Sequence, residues 1–404
     1  MKLFARTTDG ILSLAEFREL LDSDRKLKIK FGTDVTAPFL HLGHAVNLWM
    51  MREMQERGHL VQFLIGDFTT LVGDPTGRTG SRTPPSREDI ERDAEAFIRQ
   101  VGTVLITDDP EVFEVRRNSE WWDKTTLVDF MKLANGVTST KLLSRDMFRS
   151  RLESGGEVRV DEMLYPILQG WDSVQLGSDM TIVGSDQLFN ESMGRTFQER
   201  SGQKPQVVIT TRITPGLDGV HKQSKTIGNY IAIDDDARTM FGKAMSLPDN
   251  LIRSWLEVYT TMPAERIDAL CATVGPESEP FDGRKAKAAL ARALVERWHG
   301  PEEARAEAEW FDRTFSSREF PGDAPIIRLD AKKYRAIELL ALAAPNLSRS
   351  EIRRLIASRA VEANGRCVDS GEQQIPLKEG AFVELRLGRR RFFRIGAQGG
   401  DAMN

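Results

Sequence analysis

An α/β fold built on a parallel sheet is predicted by three stretches of the sequence. Lys28-Ile-Lys-Phe-Gly-Thr-Asp34 carries apolar Ile29 and Phe31 and reaches Gly32, where a backbone bends tightly or approaches a ligand closely. Beyond it, Leu42, Val46, Trp49, Met50 and Met54 fall at the spacing of an amphipathic helix. Leu60-Val-Gln-Phe-Leu-Ile-Gly66 then reads as a second buried strand, and strand, helix, strand in that order implies parallel strands joined by a right-handed crossover. Met180-Thr-Ile-Val-Gly-Ser-Asp-Gln187 is a third strand running into a glycine turn, and Gln206–Thr210 a further one. Such sheets bind ligands beyond the carboxyl ends of their strands, where Gly32, Asp34 and Gly66 would lie.

Taken in order, Leu12, Leu14, Phe17, Leu20 and Leu21 predict a short amphipathic helix ahead of the first strand. His41 and His44 stand at the N-terminus of the helix that follows that strand. Unpaired N–H groups and the helix dipole favour an anion there, and two imidazoles three residues apart share one face and can donate to the same phosphate. Gly66 to Arg78 is a loop shaped by glycines and Asp74-Pro75. Asp74 can receive a ligand's ammonium group, or cap the next element as an Asx turn. From Ser81 to Val158 the chain reads as polar and helical, with Ser86-Arg-Glu-Asp-Ile90 opening one helix like a capping box. Trp121, Trp122, Phe130, Met131 and Leu133 supply apolar surface that suits either a packed interface or the chain's own core.

In Leu164-Tyr-Pro-Ile-Leu-Gln-Gly-Trp-Asp-Ser173, the residues Tyr165, Gln169 and Asp172 are spaced at four and three, so one helical face presents all three polar groups. From Ala232 to Arg318 the reading is helical, and Ser316 to Pro325 looks like a linker. In Leu347 to Val361, Ile352, Leu355 and Ile356 point inward while Arg349, Arg353 and Arg354 reach outward. Glu362-Ala-Asn-Gly-Arg-Cys-Val368 is a hairpin with an Asn-Gly turn, and Arg386, Arg389, Arg390, Arg391 and Arg394 form a second basic cluster. Clusters of this kind bind phosphate backbones with salt-dependent affinity.

A 404-residue chain that is 40% hydrophobic and 29% charged has room for two or three domains and is not disordered. No run approaches a membrane span, and Met1-Lys-Leu-Phe-Ala-Arg-Thr7 lacks the apolar core of a signal peptide, so a cytoplasmic protein is expected. Cys271 and Cys367 stand far apart with no ligand pattern, which argues against a zinc site or a disulfide framework. A net charge of -4 would argue against nucleic acid if it were spread evenly, but the C-terminal region is basic.

His41-Leu-Gly-His44 resembles the HIGH signature of class I aminoacyl-tRNA synthetases, and His221-Lys-Gln-Ser-Lys-Thr-Ile-Gly-Asn229 resembles their KMSKS loop in its bacterial tyrosyl variants. The two occur in the family's order, and the residues between them are similar to the tyrosyl branch. The resemblance covers nearly the whole chain. It implies a Rossmann-like doubly wound parallel sheet over residues 1–230 with a helical connecting insertion at about 81–158, which in the family helps form a homodimer. An α-helical domain toward the anticodon arm with a linker (231–320) and a small α+β S4 RNA-binding domain (326–396) would follow. The implied reaction joins tyrosine and ATP into tyrosyl-adenylate and then moves tyrosine to tRNA, with Mg2+ accompanying ATP, no protein-ligated metal and no membrane. His41, His44, Thr36, Lys222, Lys225 and Thr226 would be catalytic, stabilising the phosphates and the leaving pyrophosphate. Asp34, Thr69, Asp74, Tyr165, Gln169, Asp172 and Gln187 would hold the amino acid, with Asp172 accepting the phenolic hydroxyl. Gly32, Gly43, Gly184 and Asp186 would serve ATP and the adenylate, Asp186 through the ribose hydroxyls. Arg349, Arg353, Arg354, Arg389, Arg390 and Arg391 would contact RNA.

Several positions depart from the family pattern. Lys30 stands where many members have a tyrosine, Val35 where proline is usual, Trp171 for tyrosine, Gln175 for alanine, Val183 for glycine, and Gln223 for methionine or phenylalanine. Trp171 and Gln175 flank the pocket helix and bear on which substrate is taken more than on which reaction is run. Two other readings therefore stand beside the first: an enzyme of the same fold that activates a modified tyrosine or another aromatic amino acid, and a noncatalytic RNA-binding regulator. A tryptophan-specific enzyme fits less well, because the chain keeps Tyr165, Gln169 and Asp172 and carries an S4-like tail.

Overall fold

The computed structural model describes residues 2–35, 40–75, 85–224, 227–272, 281–316, 319–388 and 391–397. Thr8–Leu12 (β1), Lys28–Asp34 (β2), Leu60–Gly66 (β3), Phe113–Arg117 (β4), Met180–Gly184 (β5) and Val207–Thr211 (β6) make one six-stranded sheet in the order β1-β6-β5-β2-β3-β4. All neighbours are parallel except β1, which runs antiparallel to β6. The central strands are apolar almost throughout and buried, because helices cover both faces of a parallel sheet. The order in which successive strands are added reverses between β2 and β5, β3 and β4 lying to one side and β5 and β6 to the other, and a crevice opens beyond the carboxyl ends at such a switch point.

Two edge strands correct the sequence reading. The short helix expected ahead of β2 is present as Leu14–Leu21, with Phe17 and Leu20 buried, but a helix at Lys2–Thr7 and β1 precede it, and Leu12 belongs to β1. The polar insertion contains β4, paired to β3. Both are edge strands of five residues with partly exposed side chains, so neither carries the apolar run that betrays a central strand. Their stability comes from a ladder partner distant in sequence.

The helix Leu42–Gln55 is buried on more sides than an amphipathic surface helix, with Leu42, Ala45, Leu48, Met50 and Met51 fully enclosed. Its outer side is covered by the helix Gly283–His299: Trp298 packs 5.7 Å from Trp49, and the Arg297 guanidinium stacks 3.3 Å above the Trp49 ring. Ser86 caps the helix Arg87–Val101 by accepting from Asp89 N, as its motif predicts.

The helices Val160–Leu176 and Leu188–Arg200 cross at a pair of glycines. A Cβ on Gly170 would come within 3.0 Å of the Gly194 nitrogen, and one on Gly194 within 2.7 Å of Ser173 Oγ. Only glycine permits this approach, and it sets Gln169 and Ser173 against the second helix.

The chain divides into two compact units, Met1–Arg305 and Ala306–Asn404, so the helices from Ala237 to His299 belong to the unit that holds the large sheet. In the second unit, Ile326–Leu329 (β7), Lys333–Arg335 (β8), Val361–Ala363 (β9), Arg366–Cys367 (β10), Gln374–Pro376 (β11), Phe382–Leu387 (β12) and Arg391–Ala397 (β13) form two sheets. One has five strands in the order β10-β9-β12-β13-β7, and the other pairs β11 with β8. Asn364 and Gly365, both at positive φ, turn β9 into β10 as the Asn-Gly pair predicts. The helix Arg349–Ala357 buries Ile352 and Ile356 and leaves Arg349, Arg353 and Arg354 exposed. No helix among the described residues is long and apolar enough to cross a membrane.

Candidate active site

Asp34, Gly66, Gly184 and Thr211 end β2, β3, β5 and β6 in register, and the crevice beyond them encloses a cavity of about 360 Å³. One end of the cavity is a hydrogen-bonded chain of buried polar groups. Tyr165 donates to Asp34 Oδ2 at 2.9 Å, Thr69 donates to Asp34 Oδ1 at 2.7 Å, and Asn118 Nδ2 reaches both Thr69 Oγ1 at 3.0 Å and Asp172 Oδ2 at 3.3 Å. Asp172 Oδ1 accepts two indole N–H groups, from Trp121 at 2.9 Å and Trp122 at 3.0 Å. Burial pushes the Asp172 carboxyl up to about 7, while the charge of Lys30 and the donors on Asn118, Trp121 and Trp122 pull the other way. Burial and the charges of Asp34 and Asp74 raise the Tyr165 phenol well above its ordinary value, so it remains a donor. Gly66 is required at this point: a Cβ would stand 2.6 Å from Asp34 Oδ1 and 2.5 Å from Thr69 Oγ1.

Deeper in the same end, Lys30 pairs with Glu191 Oε2 at 2.7 Å and donates to Ser173 Oγ at 2.8 Å, with both charged side chains essentially enclosed. Glu191 also accepts from Gln169 Nε2 at 2.7 Å and Gln206 Nε2 at 2.8 Å. Gln169 Oε1 accepts from Asn190, which reaches Gln187 Oε1 as well, and Gln187 Nε2 donates to Asp74 at 2.8 Å. The buried ion pair therefore fixes which way the Gln169 amide faces. Arg145 lies buried between the Phe148 and Phe189 rings at 5.3 Å from each, within the field of Asp74, Tyr165 and Asp186, and burial lowers its pKa.

At the other end stand the two histidines. His41 caps its helix by accepting from Gly43 N at 3.2 Å, and His44 Nδ1 accepts from His41 N at 3.3 Å, so both rings use Nδ1 as an acceptor. The tautomer this fixes carries its proton on Nε2, leaving each ring a donor on that side. A Cβ on Gly43 would sit 3.0 Å from the His41 ring, and one on Gly184 2.7 Å from Asp186 Oδ1, so both glycines keep a neighbour seated. Gly32 meets only ordinary contacts, and its packing does not demand glycine. Lys222 pairs with Asp186 Oδ2 at 2.7 Å across the mouth of the cavity. Among the described residues no group of His, Cys, Asp or Glu is arranged to hold a metal ion.

Of the sequence-predicted residues, Gly32, Asp34, His41, Gly43, His44, Thr69, Asp74, Tyr165, Gln169, Asp172, Gly184, Asp186, Gln187 and Lys222 all line this one cavity. Thr36, Lys225 and Thr226 lie outside the described residues, as do Arg389 and Arg390. Arg349, Arg353, Arg354 and Arg391 are exposed in the second unit, whereas Arg386 and Arg394 are turned to Glu362 and Glu384.

Three groups escaped the sequence reading. Asn118, Trp121 and Trp122 follow β4, and recognising that strand would have placed them at a carboxyl end beside Asp34 and Gly66. Glu191 is buried on its helix beside Gly194 and Gln198, neighbours that carry no apolar period to mark it. Gln223 was noted as a departure, but its burial against Tyr259 has no local signature.

Residues 22–316 match the family model described as tRNA synthetases class I (W and Y). The chain is 38% identical to the tyrosine–tRNA ligase of Aquifex aeolicus over 98% of both proteins, and 38% identical to that of Haemophilus influenzae over 96% of this chain and 95% of the relative. Among solved structures, a C-terminally truncated mitochondrial tyrosyl-tRNA synthetase of Aspergillus nidulans superposes with a TM-score of 0.61 at 22% identity, covering 78% of this chain and 93% of that one. A tyrosyl-tRNA synthetase of Archaeoglobus fulgidus complexed with L-tyrosine gives 0.58 at 20% identity, covering 76% and 98%. The sheet with its switch-point cavity, the two histidines at a helix start and a match over both signatures lead to one assignment: the chain belongs to the class I tRNA synthetases of the W and Y group.

Proposed function

We propose that the chain is a tyrosine–tRNA ligase, and the observation that carries this reading is Asp172. It lies buried at one end of the cavity, with one oxygen accepting from two indoles and the other, among the described residues, accepting only a long amide contact at 3.3 Å. A carboxylate so placed is matched by one more donor, which a phenol supplies and a phenyl ring does not. Tyr165, Asp34, Asp74 and Gln169 then surround the amino end of the same ligand.

In this reading the tyrosine carboxylate attacks the α-phosphorus of ATP, a carboxyl oxygen–phosphorus bond forms, and the bond to the β-phosphate oxygen breaks to release pyrophosphate. His41 and His44 donate through Nε2 to phosphate oxygens, and Lys222 meets the charge that grows on the leaving group. Asp186 accepts the ribose hydroxyls once Lys222 has left it. A terminal ribose hydroxyl of tRNA then attacks the tyrosyl carbonyl, and AMP departs. Mg2+ enters with ATP as part of the substrate. Arg349, Arg353, Arg354 and Arg391 hold RNA phosphates.

A cytoplasmic homodimer completes the proposal. The helix Leu127–Ala134 buries none of its residues, and Leu127, Val128 and Met131 are 76%, 63% and 61% exposed, an apolar face suited to a second copy.

The test is amino-acid-dependent ATP–pyrophosphate exchange without tRNA, with tyrosine, phenylalanine, tryptophan and hydroxylated or halogenated tyrosines compared. Exchange with tyrosine and at least hundredfold less with phenylalanine is the expected result. Exchange only with a modified tyrosine would keep the reaction and change the substrate, and silence with every compound would favour the RNA-binding regulator.

A further inference from the structure

A second cavity, of about 530 Å³, lies apart from the one described above and shares none of its lining residues. Its walls come from the segment 261–263, from the start of the helix Ala264–Cys271 and from one side of the helix Gly283–His299. Arg266, Arg292 and Arg297 converge on it from these two helices, and the lining includes one carboxylate, Glu296.

Arg297 is the innermost of the three. Its guanidinium stacks 3.3 Å above the Trp49 ring, and Nη1 donates a long hydrogen bond of 3.5 Å to the Tyr259 carbonyl. Among the described residues no carboxylate forms an ion pair with it; Glu53 acts on it from farther away, and burial pushes its pKa down to about 10. A cation taken out of water without a carboxylate is costly, and the aromatic ring offsets only part of that. Stacking occupies the face of the guanidinium and leaves N–H groups at its edge for an acceptor in the plane.

The surroundings add to the same sign of charge. Arg266 and Arg292 are exposed and enter no ion pair among the described residues, whereas Arg253 and Arg52 on nearby helices meet Asp268 and Glu56. The helix Ala264–Cys271 starts at Pro263 without a side-chain cap, so its first N–H groups contribute positive potential where Arg266 stands.

We propose that this cleft is an anion site for a terminal phosphate or pyrophosphate group of a small free molecule, with Arg297 at its floor and Arg266 and Arg292 at its rim. Phosphate oxygens match the forked N–H groups of guanidinium ions and supply Arg297 with a counter-charge. A terminal phosphate hangs from one bond and reaches a largely buried guanidinium, whereas a phosphodiester tethered on both sides along an RNA strand meets the exposed Arg266 and Arg292 first. The volume is that of pockets that take small molecules, and Met262, Ala289 and Ala293 give the rest of the ligand an apolar wall.

Isothermal titration of the full chain with inorganic pyrophosphate tests the site. One binding event is expected that His44→Gln leaves within twofold and that Arg266→Gln and Arg292→Gln each weaken about tenfold, the loss of one hydrogen bond to a charged group. Whether the catalytic cavity takes a further pyrophosphate is read from the effect of His44→Gln, so failure of the ligase reading leaves this test intact. Arg297→Gln should abolish binding, but it also removes the contact with Trp49, and the two exposed variants decide the matter. In thermal unfolding, pyrophosphate should raise the midpoint of His44→Gln and leave that of the His44→Gln, Arg292→Gln double variant unmoved. Binding that vanishes in His44→Gln and ignores the arginine changes overturns the proposal. So does tighter binding at these arginines of a hydroxyl-ended single-stranded RNA than of pyrophosphate, which would make the cleft a contact for an RNA backbone.

Discussion

Asp172 shows how a single residue trades stability for recognition. Its folded carboxyl titrates at about 7 against an ordinary 3.8, so between those values the folded state holds a proton that the unfolded state has released. Stability therefore falls as pH rises through that window, and the full cost, on the order of 4 kcal/mol by linkage, is present above it. Asp172→Asn should unfold at higher temperature than wild type at pH 8, with the difference shrinking toward pH 4, while discrimination of tyrosine over phenylalanine collapses. Calorimetry at the two pH values and exchange with both amino acids check the pair of outcomes. In the wild-type protein KM for tyrosine should rise as pH drops below about 7, because a protonated carboxyl no longer offers the phenol an anionic acceptor. Lys30 presents the complementary case, a cation that cannot lose its partner. Lys30→Met leaves Glu191 charged and enclosed and should cost about 3–5 kcal/mol in denaturant unfolding. Adding Glu191→Leu should recover most of that loss, which would identify the pair as a device for orienting Gln169 more than for holding the fold.

At the scale of elements, the site depends on how closely two helices approach. Gly170 and Gly194 let Val160–Leu176 and Leu188–Arg200 meet backbone to backbone, and the amides of Gln169, Gln187 and Asn190 join across that contact. Gly170→Ala places a methyl group against the backbone of Met193 and Gly194, atoms that cannot rotate away. The expected result is a loss of about 1–3 kcal/mol in stability together with a higher KM for tyrosine. An alanine variant with unchanged KM would mean that the Gln169 and Gln187 amides keep their places without the close crossing. The capping of the Leu42–Gln55 helix by His41 and His44 belongs to the same scale: hydrogen bonds that finish a helix also set the tautomer of two catalytic candidates.

For the whole molecule, the exposed apolar face of Leu127–Ala134 predicts association. Leu127→Asp combined with Met131→Asp should convert a dimer to a monomer in light scattering, at concentrations where the wild-type protein stays paired. A wild-type monomer at high micromolar concentration would leave that face without its proposed occupant.

The sequence by itself determined the central strands, the helix carrying His41 and His44, and the polar face of Tyr165, Gln169 and Asp172, since each is written in a local period or an apolar run. It also determined the family, because two signatures keep their residues in order. Tertiary structure alone decided β1 and β4, whose short edge sequences are stabilised by partners far along the chain. It likewise decided the indole pair on Asp172, the enclosure of Lys30 with Glu191 and the contact of Gln223 with Tyr259. These contacts join residues 36 to 161 positions apart, and a hydrogen bond or buried charge pair between distant segments leaves no periodic mark in either one.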